Sequence, residues 1–246
     1  MDGVHRICNV LILGLDTIGG VQLPLNPGPT NAWTGTNEHS LEHPHLRHRA
    51  ADTSHTSMNV PDSEIRGIAP VSVRLLTSTD AQAYRSVRLL ALHEQPPAFG
   101  SLPEDEPNLS ETADRLAASD ERCFFGAFQA EQLIGIIRLS RYSARNEKHR
   151  AYLAGLYVLP PFRRNGCGRA LIREALARAA NAAGIRRVNL TVVRQQEAAI
   201  RLYQSFGFRI YGTEQETFSS GGKFYDEHFM TLEFNSENDR NAWNAS

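Results

Sequence analysis

The run from Leu156 to Ala170, LYVLPPFRRNGCGRA, constrains this chain more than any other. An apolar segment ends in two prolines, two arginines and a pair of glycines, just ahead of an amphipathic helix. Gly166 and Gly168 let the backbone turn tightly and approach a ligand closely. The unpaired N–H groups and positive dipole end of the following helix suit a phosphate. The predicted order is strand, anion-binding loop, helix, and the ligand it suits is phosphorylated.

Two common phosphate loops do not fit. A dinucleotide fingerprint needs GxGxxG straight after a strand, and a nucleotide triphosphate loop needs GxxxxGK followed by Ser or Thr. What stands here is Arg163-x-x-Gly166-x-Gly168, preceded by Leu156, Tyr157 and Val158.

Composition shifts sharply near residue 70. Residues 1–69 hold six of the nine histidines, a Pro/Gly-rich stretch around Pro24 to Pro29 and the polar run ADTSHTSMNVPDSE, and read as a disordered leader. Residues 70–235 form one domain, with a core region long enough to be well filled. Residues 236–246 read as a polar, frayed tail.

Within the domain, hydrophobic spacing predicts strands at Val71–Leu76, Cys123–Phe128, Leu133–Ser140, Ala151–Val158, Val188–Val193, Phe208–Gly212 and Phe224–Phe234. Helices are expected from Thr79, through a Thr79-x-x-Gln82 cap, to about His93, and from Ser110 onward. Two more are expected at Cys167–Ala183, ended by Gly184, and at Glu197–Ser205. The order βααβββαβαββ is a mixed α/β arrangement, with helices covering a central, mainly antiparallel sheet.

The formal net charge is -1, and 22 basic against 20 acidic residues lie after residue 70, so bulk charge selects no partner. Arginines 163, 164, 169, 173, 178, 186 and 187 give one local basic surface. Without interleaved aromatic residues it argues for phosphate rather than nucleic acid. Cys8, Cys123 and Cys167 form no CxxC unit, which fits a reducing cytoplasm. The apolar run Val10–Leu15 is too short to span a membrane. His39, His43, His45, His48 and His55 lack an element to fix their geometry, so no metal is expected.

On these residues the chain resembles the GNAT superfamily of acyl-coenzyme A dependent N-acetyltransferases. The resemblance covers residues 71–234 and extends to a second segment, Val192 to Phe208, where Ala199, Leu202, Tyr203, Gly207 and Phe208 match and Gln196 replaces the usual Asn. It implies a splayed strand pair at the cofactor site and acetyl-coenzyme A as cosubstrate. The coenzyme would be held by Leu156, Tyr157, Val158, Arg163, Arg164, Asn165, Gly166, Cys167, Gly168, Arg169 and Gln196. The activity implied is acetyl transfer to a primary amine of a small molecule, peptide or protein, by direct attack in a ternary complex. A second reading of the same motifs is a non-catalytic acyl-coenzyme A binding module. The expected assembly is a monomer or homodimer, with no nucleic acid or membrane partner.

By the same resemblance the free N–H of Tyr157 or Val158 polarises the acetyl carbonyl, and Tyr203 protonates the coenzyme A sulfur. A phenol with an ordinary pKa near 10 holds its proton at neutral pH and can release it to a developing thiolate. The general base stays open among Tyr152, His149, Asp226, Glu227, His228 and water. Pro96–Leu102, PPAFGSL, is expected to build part of the acceptor-side wall.

Overall fold

The computed structural model describes residues 70–99, 101–117, 119, 121–234 and 243. The leader and most of the tail, with the histidine group, Cys8 and Val10–Leu15, lie outside them. Seven strands form one sheet in the order β1-β2-β3-β4-β5-β7-β6. They are β1 (Val71–Leu75), β2 (Arg122–Gln129), β3 (Gln132–Arg141), β4 (Arg150–Val158), β5 (Arg187–Val193), β6 (Arg209–Ser220) and β7 (Lys223–Glu233). All neighbours are antiparallel except β4 and β5.

Four helices cover the sheet: α1 (Ala81–Glu94), α2 (Leu109–Leu116), α3 (Cys167–Asn181) and α4 (Glu197–Gln204). The element order is the expected one. The stripe Leu171, Ile172, Ala175, Leu176 and Ala179 recurs at helical spacing and is fully buried. It packs with Ile137, Leu139, Leu153, Leu156 and Val158 on one face of the sheet, where Ala199 and Tyr203 of α4 join it. The opposite face packs Val87, Ala91 and Leu92 of α1 and Leu116 of α2 against Phe124, Ile136 and Tyr157. Side chains alternate across a strand, so Ile136 and Ile137 serve different cores.

Three local expectations shift. The capping carboxylate ahead of α1 is Asp80, which closes the short 3-10 turn Ser78–Asp80 by accepting the Thr77 N–H at 2.8 Å and also takes both guanidinium ends of Arg74; no Thr79–Gln82 pair forms the cap. Helix α3 stops at Asn181, and Gly184 takes its positive φ of 78° in the turn that follows. Strand β6 runs on to Ser220, beyond the predicted Gly212. Its exposed, polar residues hide the apolar alternation, and pairing with β7 across two register shifts carries the strand.

Candidate active site

The parallel ladder between β4 and β5 runs only from Arg150↔Arg187 to Tyr152↔Asn189, after which the two strands part. The cause lies in β4. Gly155 has a φ of 65°, and the β3–β4 register shifts between Ile136 and Arg138. An extra residue in one strand bends it and resets its alternation. Leu153 faces α3, yet so do Leu156 and Val158, while Tyr157 turns to the α1 side.

The same strand decides which amide is available. Leu159 N–H donates to the Ile134 carbonyl at 2.8 Å, and Ile136 opposes Tyr157 while Gly135 opposes Val158. Bonded and non-bonded pairs alternate in an antiparallel ladder. The Tyr157 N–H therefore turns toward β3 and the Val158 N–H toward the parted side. Of the two amides expected from sequence, it is the one of Val158 that faces the parting.

Beyond Val158 the chain enters the loop. Arg164 and Gly166 have φ values of 65° and 79°, and left-handed residues interleaved in this way turn successive N–H groups into one concave nest. Gly166 offers no side-chain cap to α3, and the first helical bond is Ala170 N–H to the Gly166 carbonyl at 2.9 Å. The N–H groups of Cys167, Gly168 and Arg169 thus precede the helix's own acceptors. Nothing lies within 4 Å of where a Cβ on Gly166 would stand. Arg164, Asn165 and Arg169 are exposed around this cradle, and Arg169 donates to Ser205 Oγ at 3.0 Å. The nest, the helix end and the two cations fit a pyrophosphate.

Two loop residues sit differently from the expectation that they meet the coenzyme. Arg163 is only 8% exposed at its side chain. Its guanidinium grips both carboxylate oxygens of Glu94 at 2.8 Å, and its Nε donates to the Val158 carbonyl at 2.8 Å. The Tyr157 hydroxyl donates to the same carboxylate. Arg163 therefore locks the end of α1 to the end of β4, and its charge is used there. Burial pushes the Glu94 carboxyl up, but the bonds from Arg163 and Tyr157 outweigh it and leave it below its usual range. The Cys167 side chain is buried against Gly135, and burial pushes its thiol up to about 11, as befits a packing residue.

Gln196 ends the parting on the β5 side. It is half-buried at the start of α4, with its N–H on the Val193 carbonyl at 2.9 Å. Tyr203, one turn and a half into the same helix, is 1% exposed and stands edge-on to Phe208. Burial, then the nearby Tyr152, raises its pKa well above the ordinary phenol value.

The sequence pattern of the Acetyltransferase (GNAT) family matches residues 87–208. An acetyltransferase of the GNAT family from Streptococcus pneumoniae superposes with a TM-score of 0.61 at 26% identity, over 67% of this chain and all of that one. The chain belongs to the GNAT superfamily. A putative acetyltransferase from Salmonella typhimurium, solved with its cofactor acetyl-CoA, shares the fold at a TM-score of 0.60 and 18% identity, over 68% of this chain and 96% of its own. An uncharacterised protein of Mycobacterium leprae (strain TN) is 30% identical over 129 residues, 52% of this chain. The chain spans about a third of that relative's length, 34%.

On the α1 side of this GNAT sheet lies a groove of about 1080 Å³ that reaches the parting of β4 and β5. Tyr84, Phe124, Arg138, Tyr152, Thr191 and Glu227 are among its walls. Tyr152 and Thr191 share a hydrogen bond of 3.0 Å across the two parting strands. Of the base candidates, Tyr152 and Glu227 face this groove. The Asp226 carboxylate instead accepts from Arg194 and from the Glu216 N–H, and His228 Nδ1 pairs with Thr213 Oγ1 at 2.8 Å. His149 lines a separate hollow beside Arg187 and Arg209. From PPAFGSL, Ser101 lines the groove, whereas Phe99 is buried beneath the Arg88 guanidinium. No group of three or more potential metal ligands converges among the described residues.

Sequence reasoning missed Glu94 and Arg138. Glu94 meets Arg163 across 69 positions, which no local pattern reveals. Arg138 did carry a signal, being the one charged residue inside the apolar strand LIGIIRLS.

Proposed function

We propose that this protein transfers an acetyl group from acetyl-coenzyme A to a primary amine, with both substrates bound together. The observation that carries this reading is the parting of β4 and β5, which joins an anion nest on one side of the sheet to a groove on the other. Acetyl-coenzyme A would supply the activated acetyl thioester. The nest at residues 164–169 would hold its pyrophosphate, and the edges of Leu156 and Val158 would hold its extended arm.

The chain's own groups then divide the work. The Val158 N–H is fixed by the ladder and aimed into the parting, where it stabilises charge on an acyl oxygen. Tyr203 keeps its proton across the physiological range and can donate it to a leaving sulfur. Its raised pKa makes it a weaker acid than the ideal, so its contribution belongs at the low end of the usual range. Glu227, 1% exposed and on the groove side of β7, is positioned to take a proton from an entering amine. The acetyl-CoA complex of the Salmonella protein supports the cofactor, and the cysteine pattern supports a reducing, cytoplasmic setting.

The test is free-thiol release from acetyl-coenzyme A across a broad amine panel. Amine-dependent release is the expected result. Tight binding of the coenzyme with no release by any amine would support the non-catalytic module instead.

A further inference from the structure

Among the described residues, the groove contains an enclosed cation, Arg138, with two nitrogens that meet no acceptor. Arg138 projects from β3 on the groove face, between Ile136 and Ser140, while Ile137 and Leu139 point into the opposite core. Its Nε and Nη2 are enclosed, and neither meets a hydrogen-bond acceptor. Of the other groove arginines, Arg115 and Arg122 lie toward its rim, and three hold partners within the protein. Arg88 donates to Glu106 at 2.9 Å and lies over Phe99, Arg150 pairs with Glu147, and Arg141 donates to the carbonyls of Lys148 and Ala183. Besides burial, the groups that act on Arg138 are the phenols of Tyr84 and Tyr152 and the like charges of Arg88 and Arg122. A buried guanidinium surrounded by like charge and neutral phenols is costly unless an anion completes it.

Resting on the acetyl-transfer reading above, we propose that Arg138 receives a carboxylate adjacent to the acceptor's amine, so that the acceptor class is a free amino acid or similar small amino carboxylate. Nε and Nη2 form one edge of the guanidinium, and their parallel N–H groups match the two oxygens of a carboxylate. Arg138 stands opposite Ala154, next to the Gly155 bulge where β4 leaves β5. It is one strand spacing, about 4.8 Å, from the strand that borders the parting. An anion held there sits within a few atoms of an amine placed to meet the thioester. Glu227, on the far side of the parting opposite Val193, supplies the complementary negative charge for that amine. A peptide N-terminus would present a neutral amide carbonyl to Arg138, leaving the charge uncompensated.

The experiment uses the full chain and matched triplets built on aromatic, aliphatic and polar side chains: each amino acid, its carboxamide, and the amine lacking the carboxyl. Thiol release gives KM, and calorimetry in the presence of coenzyme A gives acceptor affinity without turnover. The wild type should favour the acid of at least one triplet. Arg138→Gln should weaken that acid by roughly 10–100-fold, the range for a charge-assisted pair, and change the carboxamide and amine by less than about 2-fold. Thermal unfolding of Arg138→Met should not move downward, since the change removes an uncompensated buried charge. Equal treatment of acid and carboxamide by the wild type, or equal losses on all three in Arg138→Gln, would overturn the proposal. An Arg138-dependent preference for the acid in calorimetry without any thiol release would uphold it and overturn only acetyl transfer.

Discussion

The two halves of the proposed site are built on different principles. The cofactor side is one contiguous loop, residues 164–169, whose chemistry is backbone N–H groups held by two left-handed residues and a helix end. The acceptor side is a constellation of side chains: Tyr84 from α1, Arg138 from β3, Tyr152 from β4, Thr191 from β5 and Glu227 from β7. A backbone site needs glycine and dihedral angles and tolerates change in most side chains. A side-chain site depends on the registers of four strands, and each member can change alone without disturbing the fold.

That contrast predicts opposite sensitivities. The largest effect on coenzyme binding is expected for Gly166→Val. No atom within 4 Å obstructs the new side chain, so the protein should fold, but the positive φ strains it and its methyls fill the cradle. Calorimetry should show acetyl-coenzyme A affinity reduced by more than about tenfold, a penalty of roughly 1.4 kcal/mol or more. An unchanged affinity would remove the loop from the account.

Next comes Tyr203→Phe, which keeps the buried ring and removes only the donor. We expect a loss of about 10²-fold in the chemical step with little change in coenzyme affinity. Rapid-quench measurements separate the two, and an undiminished chemical rate would show Tyr203 to be a packing residue. An effect at the low end of the same range, about 10²-fold in kcat/KM, is expected for Glu227→Gln, together with loss of the acidic limb of the pH–rate profile. Retention of that limb would return the role of base to Tyr152 or water.

The last effect lies away from both halves and touches stability alone. Hydrogen bonding from Arg74 holds Asp80 down from about 3.8 to about 2. A carboxyl lowered on folding adds stability above its unfolded pKa and loses it as pH falls through the folded one. The loss should fall between about pH 4 and pH 2. Arg74 is half exposed, so we expect only about 1–2 kcal/mol. Denaturant titration of Asp80→Asn should show that deficit at pH 7 and no deficit at pH 2.

The same contrast explains what could be read from sequence. The loop was legible because its signals are adjacent: a strand, two glycines and an amphipathic stripe within one short run. The place of Tyr203 and Gln196 on and beside α4 was legible through the segment that holds them. The choice of Val158 over Tyr157 was not, since it rests on a bulge at Gly155 and on the parity of the β3–β4 ladder. The pairing of Arg163 was not legible for a similar reason. Its motif position says phosphate, but its partner Glu94 arrives from the end of a helix 69 residues away. Asp226, Glu227 and His228 are chemically equivalent candidates in a string of letters. The β5–β7 register turns only Glu227 of the three toward the groove.

The central claim, that a backbone nest and a parted strand pair form one acetyl-coenzyme A site, is tested most directly by titrating the full chain with acetyl-coenzyme A in a calorimeter, beside the folded Gly166→Val variant. The wild type should bind one equivalent, and the variant should bind more than about tenfold more weakly. Absence of binding by the wild type, or equal binding by both proteins, would contradict it.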